Sequence, residues 1–386
     1  TIKLRRIAVR CRYIDSYGRH LFDDDSVLNV YNEESTNLTV GVPSPDLLQN
    51  CVEIKKKATD HRRRKEKKYY LFRYELTKFL SRRYSDPLKQ ENLILTCGGS
   101  HGLQLLLNTI LSPNGIIFVE KVTYTTALDV LRQFPLMKIV NISDIVPMKN
   151  DMVDLDEFEK IIVKEKRNGN FLTNEQKIFW AMFYTIPIFH NPNVALILLF
   201  LIKNCKRLVE IARKSSILIA CDGVYNLLYY GDGLPPRIAK IFKFSGILCN
   251  GGAVNHYVCG VVTSLLQLNL QDNYLDKLTQ IYKERLSILC NVLDYYLPRC
   301  CSHKRPEGGY FVWIHLPLEI NATNFIQWCQ NKYKVSAIPR VLFSYSEKSH
   351  NYLRLIISFH RKEVLKTTKA LCEAPLKYVR KDIDYK

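Results

Sequence analysis

The chain has 386 residues, more than one ordinary hydrophobic core holds, so a large domain with a smaller companion is expected. Hydrophobic residues at 47% and charged residues at 24% place it with soluble globular proteins. The longest apolar stretch, Val194 to Ile202, is too short to cross a bilayer and ends at Lys203, which excludes a membrane span. The formal charge of +19 is spread along the chain, so it suits nucleic acid, an anionic membrane surface or small anions without singling one out. Twelve cysteines show no CxxC pair and no metal-ligand spacing; reduced, mostly buried thiols in an intracellular protein account for them.

No signal peptide is read at the start. The Arg-rich Lys3 to Arg12 segment is either the remnant of a transit peptide or a solvated end, and the missing initial methionine points to a missing start. Asn37 to Leu48 (NLTVGVPSPDLL) is an irregular arm broken by Gly41, Pro43 and Pro45. His61 to Lys68 (HRRRKEKK) is a charge block, most simply a solvated helix end or loop. Tyr70 to Tyr84 has helical spacing with Leu71, Tyr74, Leu76, Phe79 and Leu80 inward.

Leu93 to Thr96 reads as a strand, followed by the turn CGGSHG before an apolar helix running through Leu111. A glycine-rich turn entering a helix bares backbone N–H groups beside the positive end of the helix dipole, an anion site, although glycine also serves ordinary tight turns. Strands at 115–120 and 138–141, helices at 124–134 and 154–166, a strand at 179–186 and a helix at 203–214 alternate as in a largely parallel sheet covered on both faces.

The next strand, Ile217 to Ala220, is an unbroken apolar run that delivers Asp222 and then Tyr225 at its carboxyl end, where open α/β sheets bind ligands. A bland alternative has Asp222 capping the turn and Tyr225 packing. Asn191, between Pro187 and Pro192, is likewise a turn former or a fixed polar contact. Leu265 to Leu297 is a long helical pattern, and strands at 308–315, 335–338 and 352–358 with helices at 323–332 and 361–371 suit a smaller α+β domain.

An anion cradle at Ser100, an aromatic at Tyr124, Asn191 and the Asp222–Tyr225 pair are the parts needed to hold a phosphorylated pyridine. With these on the page, the chain resembles the fold-type-I, pyridoxal-phosphate-dependent aminotransferases of classes I and II, nearest to those acting on 2-aminoadipate, kynurenine or valine and pyruvate. The resemblance rests on NLTVGVPSPDLL, LFRYELTKFL, TCGGSHGLQLLL, VEKVTYTTALDVL, FYTIPIFHNPN, CDGVYNLLYY, PEGGYFVWIHLP and NYLRLIISF, in the family's order. It implies an α/β fold whose large domain carries a mostly parallel, seven-stranded-type sheet. It also implies divisions at 1–60 (arm and part of the small domain), 61–270 (large cofactor-binding domain), 271–300 (interdomain helix) and 301–386 (small domain).

By the same resemblance, Ser100 and the amide of His101 hold phosphate, Tyr124 stacks on the ring, and Asn191 and Tyr225 bond the ring hydroxyl. Asp222 faces the ring nitrogen, and Gly41 and Arg354 take the substrate carboxylate. The expected activity is transfer of an amino group between an amino acid and a 2-oxo acid, in a homodimer that is cytoplasmic, with the mitochondrion as the alternative.

The pattern breaks at the family's cofactor-binding lysine, in an SxSK-like motif. One alignment lays FSGIL over that motif, with Gly246 at the lysine and Ala253 at the following arginine; the preferred one leaves the segment out. Lys240 and Lys243 lie nearby without matching surroundings, and Tyr69 or Tyr70 substitutes for the family's inter-subunit tyrosine only by guesswork. Three readings follow: an aminotransferase whose sequence has lost the lysine segment through splicing or an incorrect gene model, inactive in this form and binding pyridoxal phosphate non-covalently if at all; a pseudoenzyme kept as a dimeric ligand-binding or interaction module; and, ranked below these, a nucleic-acid-binding protein using the Arg62 to Lys68 run.

Overall fold

The computed structural model describes residues 36–37, 54, 56–60, 69–85, 87–142, 148–149, 152–193, 202–231, 256–344, 350–357 and 362–384. Its main sheet contains β1 (Leu111–Val119), β2 (Lys138–Asn141), β3 (Phe179–Thr185) and β4 (Ile217–Cys221) in the order β2-β1-β3-β4, every pair parallel. Among the described residues this sheet has four strands, all parallel, as expected of the large domain.

Period-two alternation divides the strands between two cores, which is why they read as unbroken apolar runs. Ile116, Phe118, Ala181, Phe183 and Ile217 face one side, against Phe158 and Ile162 of α4 (Leu155–Asn168) and Leu208 and Ile211 of α5 (Ile202–Ser215). Phe158 meets Phe118 edge-on at 5.4 Å and Phe183 at 5.2 Å. Ile117, Val119, Met182, Tyr184, Leu218 and Ala220 face the other side, against α2 (Gly99–Thr109) and α3 (Thr125–Arg132).

Helix α1 (Tyr69–Tyr84) packs on α6 (His256–Gln267), and α7 (Leu270–Tyr296) follows after a two-residue turn. Arg82 and Arg83 on α1 reach Asp272 of α7 at 2.9 and 2.7 Å. A second, antiparallel sheet has the order β7-β8-β6-β5, from β5 (Ser302–His303), β6 (Phe311–His315), β7 (Ile338–Pro339) and β8 (Tyr352–Ile356). It packs with α7, α8 (Ala322–Tyr333) and α9 (Lys362–Asp384) around Tyr282, Phe311, Phe325 and Leu355.

Several sequence expectations change. Leu93 to Thr96 is half-buried irregular chain, pairing with no strand among the described residues. Tyr74 is 45% exposed, with the Lys78 ammonium over its ring at 5.3 Å, so it lies on the solvent side of α1. The last helix runs to Asp384 rather than Leu371, with Pro375 inside it, because Leu371, Cys372, Ala374 and Tyr378 continue one apolar face; Tyr378 meets Phe325 and Trp328 at 5.5 Å. The nine described cysteines carry thiols, and six of them are buried. Among the described residues no helix is long and apolar enough to cross a membrane.

The two sheets are joined where Phe189, at φ 49°, wedges against Gly308 and Gly309. A Cβ on Gly308 would lie 2.3 Å from the Leu228 carbonyl oxygen and 2.2 Å from Phe189 Cζ, and the backbone carbonyl cannot swing away cheaply. Gly308→Ala is therefore expected to cost about 1–3 kcal/mol, read as a lower urea midpoint at unchanged m-value.

Candidate functional site

Strand order fixes where a crevice can form. From β1 the chain crosses outward to β2, then returns past β1 to β3, so the direction reverses between the carboxyl ends of β1 and β3, the place where open parallel sheets take ligands. Glu120 follows β1, the 188–193 turn follows β3 and Asp222 follows β4.

Asp222 is held by β3: its N–H donates to the Thr185 carbonyl at 2.9 Å, and its Oδ2 accepts from Tyr184 Oη at 2.8 Å. Oδ1 has no donor among the described residues. Three residues on, the Tyr225 hydroxyl accepts from Asn191 Nδ2 at 3.3 Å, and its own proton has no acceptor among the described residues. Asn191 Oδ1 in turn accepts from Arg354 Nη1 at 2.6 Å, so a residue of β8 closes onto the main-sheet turn.

Arg354 is 4% exposed, with its guanidinium 4.1 Å from the Phe311 ring centre and 4.6 Å from that of Phe343. Burial lowers its pKa to about 10, against the opposing influence of Tyr225 and Tyr124. It remains a cation at neutral pH. The Tyr225 phenol is pushed up, by burial first and then by Asp222 and Tyr124, with Arg354 acting the other way. Tyr124, at the amino end of α3, thus lies within electrostatic reach of Arg354 and Tyr225.

Ser100 and His101 stand outside that hydrogen-bonded chain, on a helix packed against the Ile117, Met182 and Tyr184 side of the sheet. They open α2, whose N-cap Gly98 (φ 91°) offers no side-chain cap and whose first turn holds no acid. The contrast is α4, where Asp154 accepts from the N–H groups of Asp156 and Glu157. His101 Nδ1 accepts from the Cys97 N–H at 3.0 Å, so its ring faces back along the loop while its amide stays at the helix end. A Cβ at Gly98 or Gly99 would meet nothing within 4 Å, so the cradle opens to free space. Gly41, Lys240, Lys243, Gly246, Ala253 and the Arg62 to Lys68 run lie outside the described residues, as do the side chains of Tyr69 and Tyr70.

Four contributors escape the sequence reading. Tyr184 reads as one apolar residue in a buried strand, and only the register reveals its hydroxyl beside Asp222. Glu120 Oε2 lies 2.7 Å from His190 Nε2, and Thr185 Oγ1 donates to Glu120 Oε1 at 3.3 Å, all nearly fully buried. Glu120 had a legible signal: it is an acid directly after a buried strand, the same cue that singled out Asp222.

Asn191→Ala is expected to lower unfolding free energy by about 1.5–3 kcal/mol, because it removes a partner from a buried guanidinium. Urea titration of the purified chain checks this.

Residues 33–253 match the family model described as aminotransferase class I and II. The chain is 25% identical over 327 residues to aromatic-amino-acid aminotransferase 1 of Thermococcus litoralis, covering 76% of this chain and 74% of that protein. It is 23% identical over 305 residues to 2-aminoadipate transaminase of Thermus thermophilus, covering 69% and 71%. Its fold matches a solved kynurenine aminotransferase of Pyrococcus horikoshii at a TM-score of 0.73 and 20% identity, over 92% of this chain and 94% of that one.

Proposed function

The chain belongs to the class I and II aminotransferase family, and from that premise we propose that it binds pyridoxal 5′-phosphate without a covalent lysine anchor, in a site that recognises an amino acid and a 2-oxo acid. The observation that carries this reading is the linked series Arg354–Asn191–Tyr225, with Asp222 close by, at the carboxyl ends of β3 and β4. The residues suit the ligand. An uncapped helix end suits phosphate, and with no partner among the described residues Asp222 Oδ1 suits an N–H donor and the Tyr225 proton a ring oxygen.

In this reading the α2 amides and Ser100 bind phosphate, and Tyr124 packs on the ring. Asp222 holds a proton on the ring nitrogen, Asn191 and Tyr225 orient the ring hydroxyl, and Arg354 takes the substrate carboxylate. When bound, pyridoxal phosphate supplies the carbonyl carbon and the electron-withdrawing ring of amino-group transfer. Without an SxSK-like lysine in the sequence, proton transfer at the substrate carbon lacks its usual carrier, a deficit of about 10² to 10⁴ in rate. That sequence feature favours a second reading, a ligand-binding module with little transamination. Homodimerisation and the division at residues 61–270, 271–300 and 301–386 belong to the same proposal.

Titrating purified protein with pyridoxal phosphate is expected to give a shifted absorbance band that borohydride does not fix to Lys240 or Lys243. Asp222→Ala weakens binding about 10- to 100-fold. A borohydride-fixed adduct on either lysine would refute the non-covalent mode, and an unshifted spectrum would refute the site. For Arg354 the sign is set by its lowered pKa: carboxylate binding needs the charged form. Calorimetric binding of 2-oxoglutarate is therefore expected to hold through neutral pH and to be lost as pH rises through about 10.

A further inference from the structure

Strand β3 grips Asp222 at two points, its backbone through the Thr185 carbonyl and its carboxylate through the Tyr184 hydroxyl. Tyr184 is 4% exposed and lies between Val119 of β1 and Ala220 of β4 in the parallel register. The ring is therefore clamped by the sheet core, and the phenol cannot follow a carboxylate that rotates away. Burial above all, and then the charges of Asp222 and Glu120, hold the phenol's pKa far above its ordinary value, so it remains an O–H donor. With Oδ2 engaged, Oδ1 has no donor among the described residues and is the oxygen placed to meet a ligand.

We infer that Tyr184 is a positioning residue: its hydroxyl fixes the orientation of the Asp222 carboxylate and keeps one oxygen aimed at an N–H group of the bound ring. This rests on the reading that a pyridine-type phosphate occupies the site. The hydroxyl acts only through Asp222, so its removal affects ligands that use the ring nitrogen and spares those that do not. A general loosening of the fold would weaken both alike.

The test compares pyridoxine 5′-phosphate with its 1-deaza analogue, in which carbon replaces the ring nitrogen, by calorimetric titration of the full chain. Wild type is expected to prefer the nitrogen-bearing ligand. Tyr184→Phe, which keeps the ring and its packing, is expected to lower that preference about five- to twentyfold while leaving deaza affinity within about twofold. In an Asp222→Asn background, Tyr184→Phe is expected to cause no further change in preference, the mark of two groups acting as one unit.

Equal weakening of both ligands by Tyr184→Phe, an unchanged preference, or an additive effect in the Asp222→Asn background would overturn the assignment. A wild type that binds neither ligand would overturn the pyridine site and this inference together. A wild type that discriminates while Tyr184→Phe discriminates equally removes only the role of Tyr184.

Discussion

A guanidinium buried between two phenyl rings holds the two sheets in register with each other. Arg354 comes from β8, the rings of Phe311 and Phe343 lie against it, and the oxygen it reaches belongs to Asn191 in the turn after β3. Desolvating a cation is costly, and here the cost appears as a pKa lowered by burial to about 10. The π faces and the amide oxygen offset part of it. A carboxylate arriving at this position would offset more, because a planar guanidinium pairs with it through two parallel hydrogen bonds.

The turn that receives Arg354 is built to be stiff. Phe189 takes a positive φ that only surrounding structure can enforce on a bulky residue, and it is seated against Gly308 and Gly309, where a side chain would not fit. One residue on, His190 is fully buried against Glu120, and the next residue presents Asn191 to Tyr225 and Arg354. Three consecutive residues of the turn are therefore all buried, each against a different partner. A polar tie beneath the turn and an apolar wedge beside it leave Asn191 little freedom to drift.

What was legible in the sequence follows from what is local. Asp222 stood out because an acid that ends a buried apolar run must find a partner, and the glycine-rich turn stood out because it enters a helix and bares backbone N–H groups there. Arg354 was found through the NYLRL wording, but its setting between Phe311 and Phe343 depends on segments far apart in the chain. Tyr184 was invisible for a different reason. In a strand covered on both faces, alternation does not distinguish a phenol that only packs from one whose hydroxyl reaches the sheet edge. Leu93 to Thr96 failed because a short apolar segment carries no information about whether a neighbouring strand exists to receive it.

A ligand held only by hydrogen bonds and packing draws its affinity from groups that need not reorganise, since each side chain ordered on binding subtracts from the gain. Here the ordering is done in advance. Thr185 and Tyr184 fix Asp222, Arg354 and Asn191 fix each other, and Asn191 steadies the Tyr225 hydroxyl. Each of these contacts joins residues far apart in the chain, so none of them is set by local backbone alone. The positions of these four side chains are thus set by the strands, the 188–193 turn and β8 themselves.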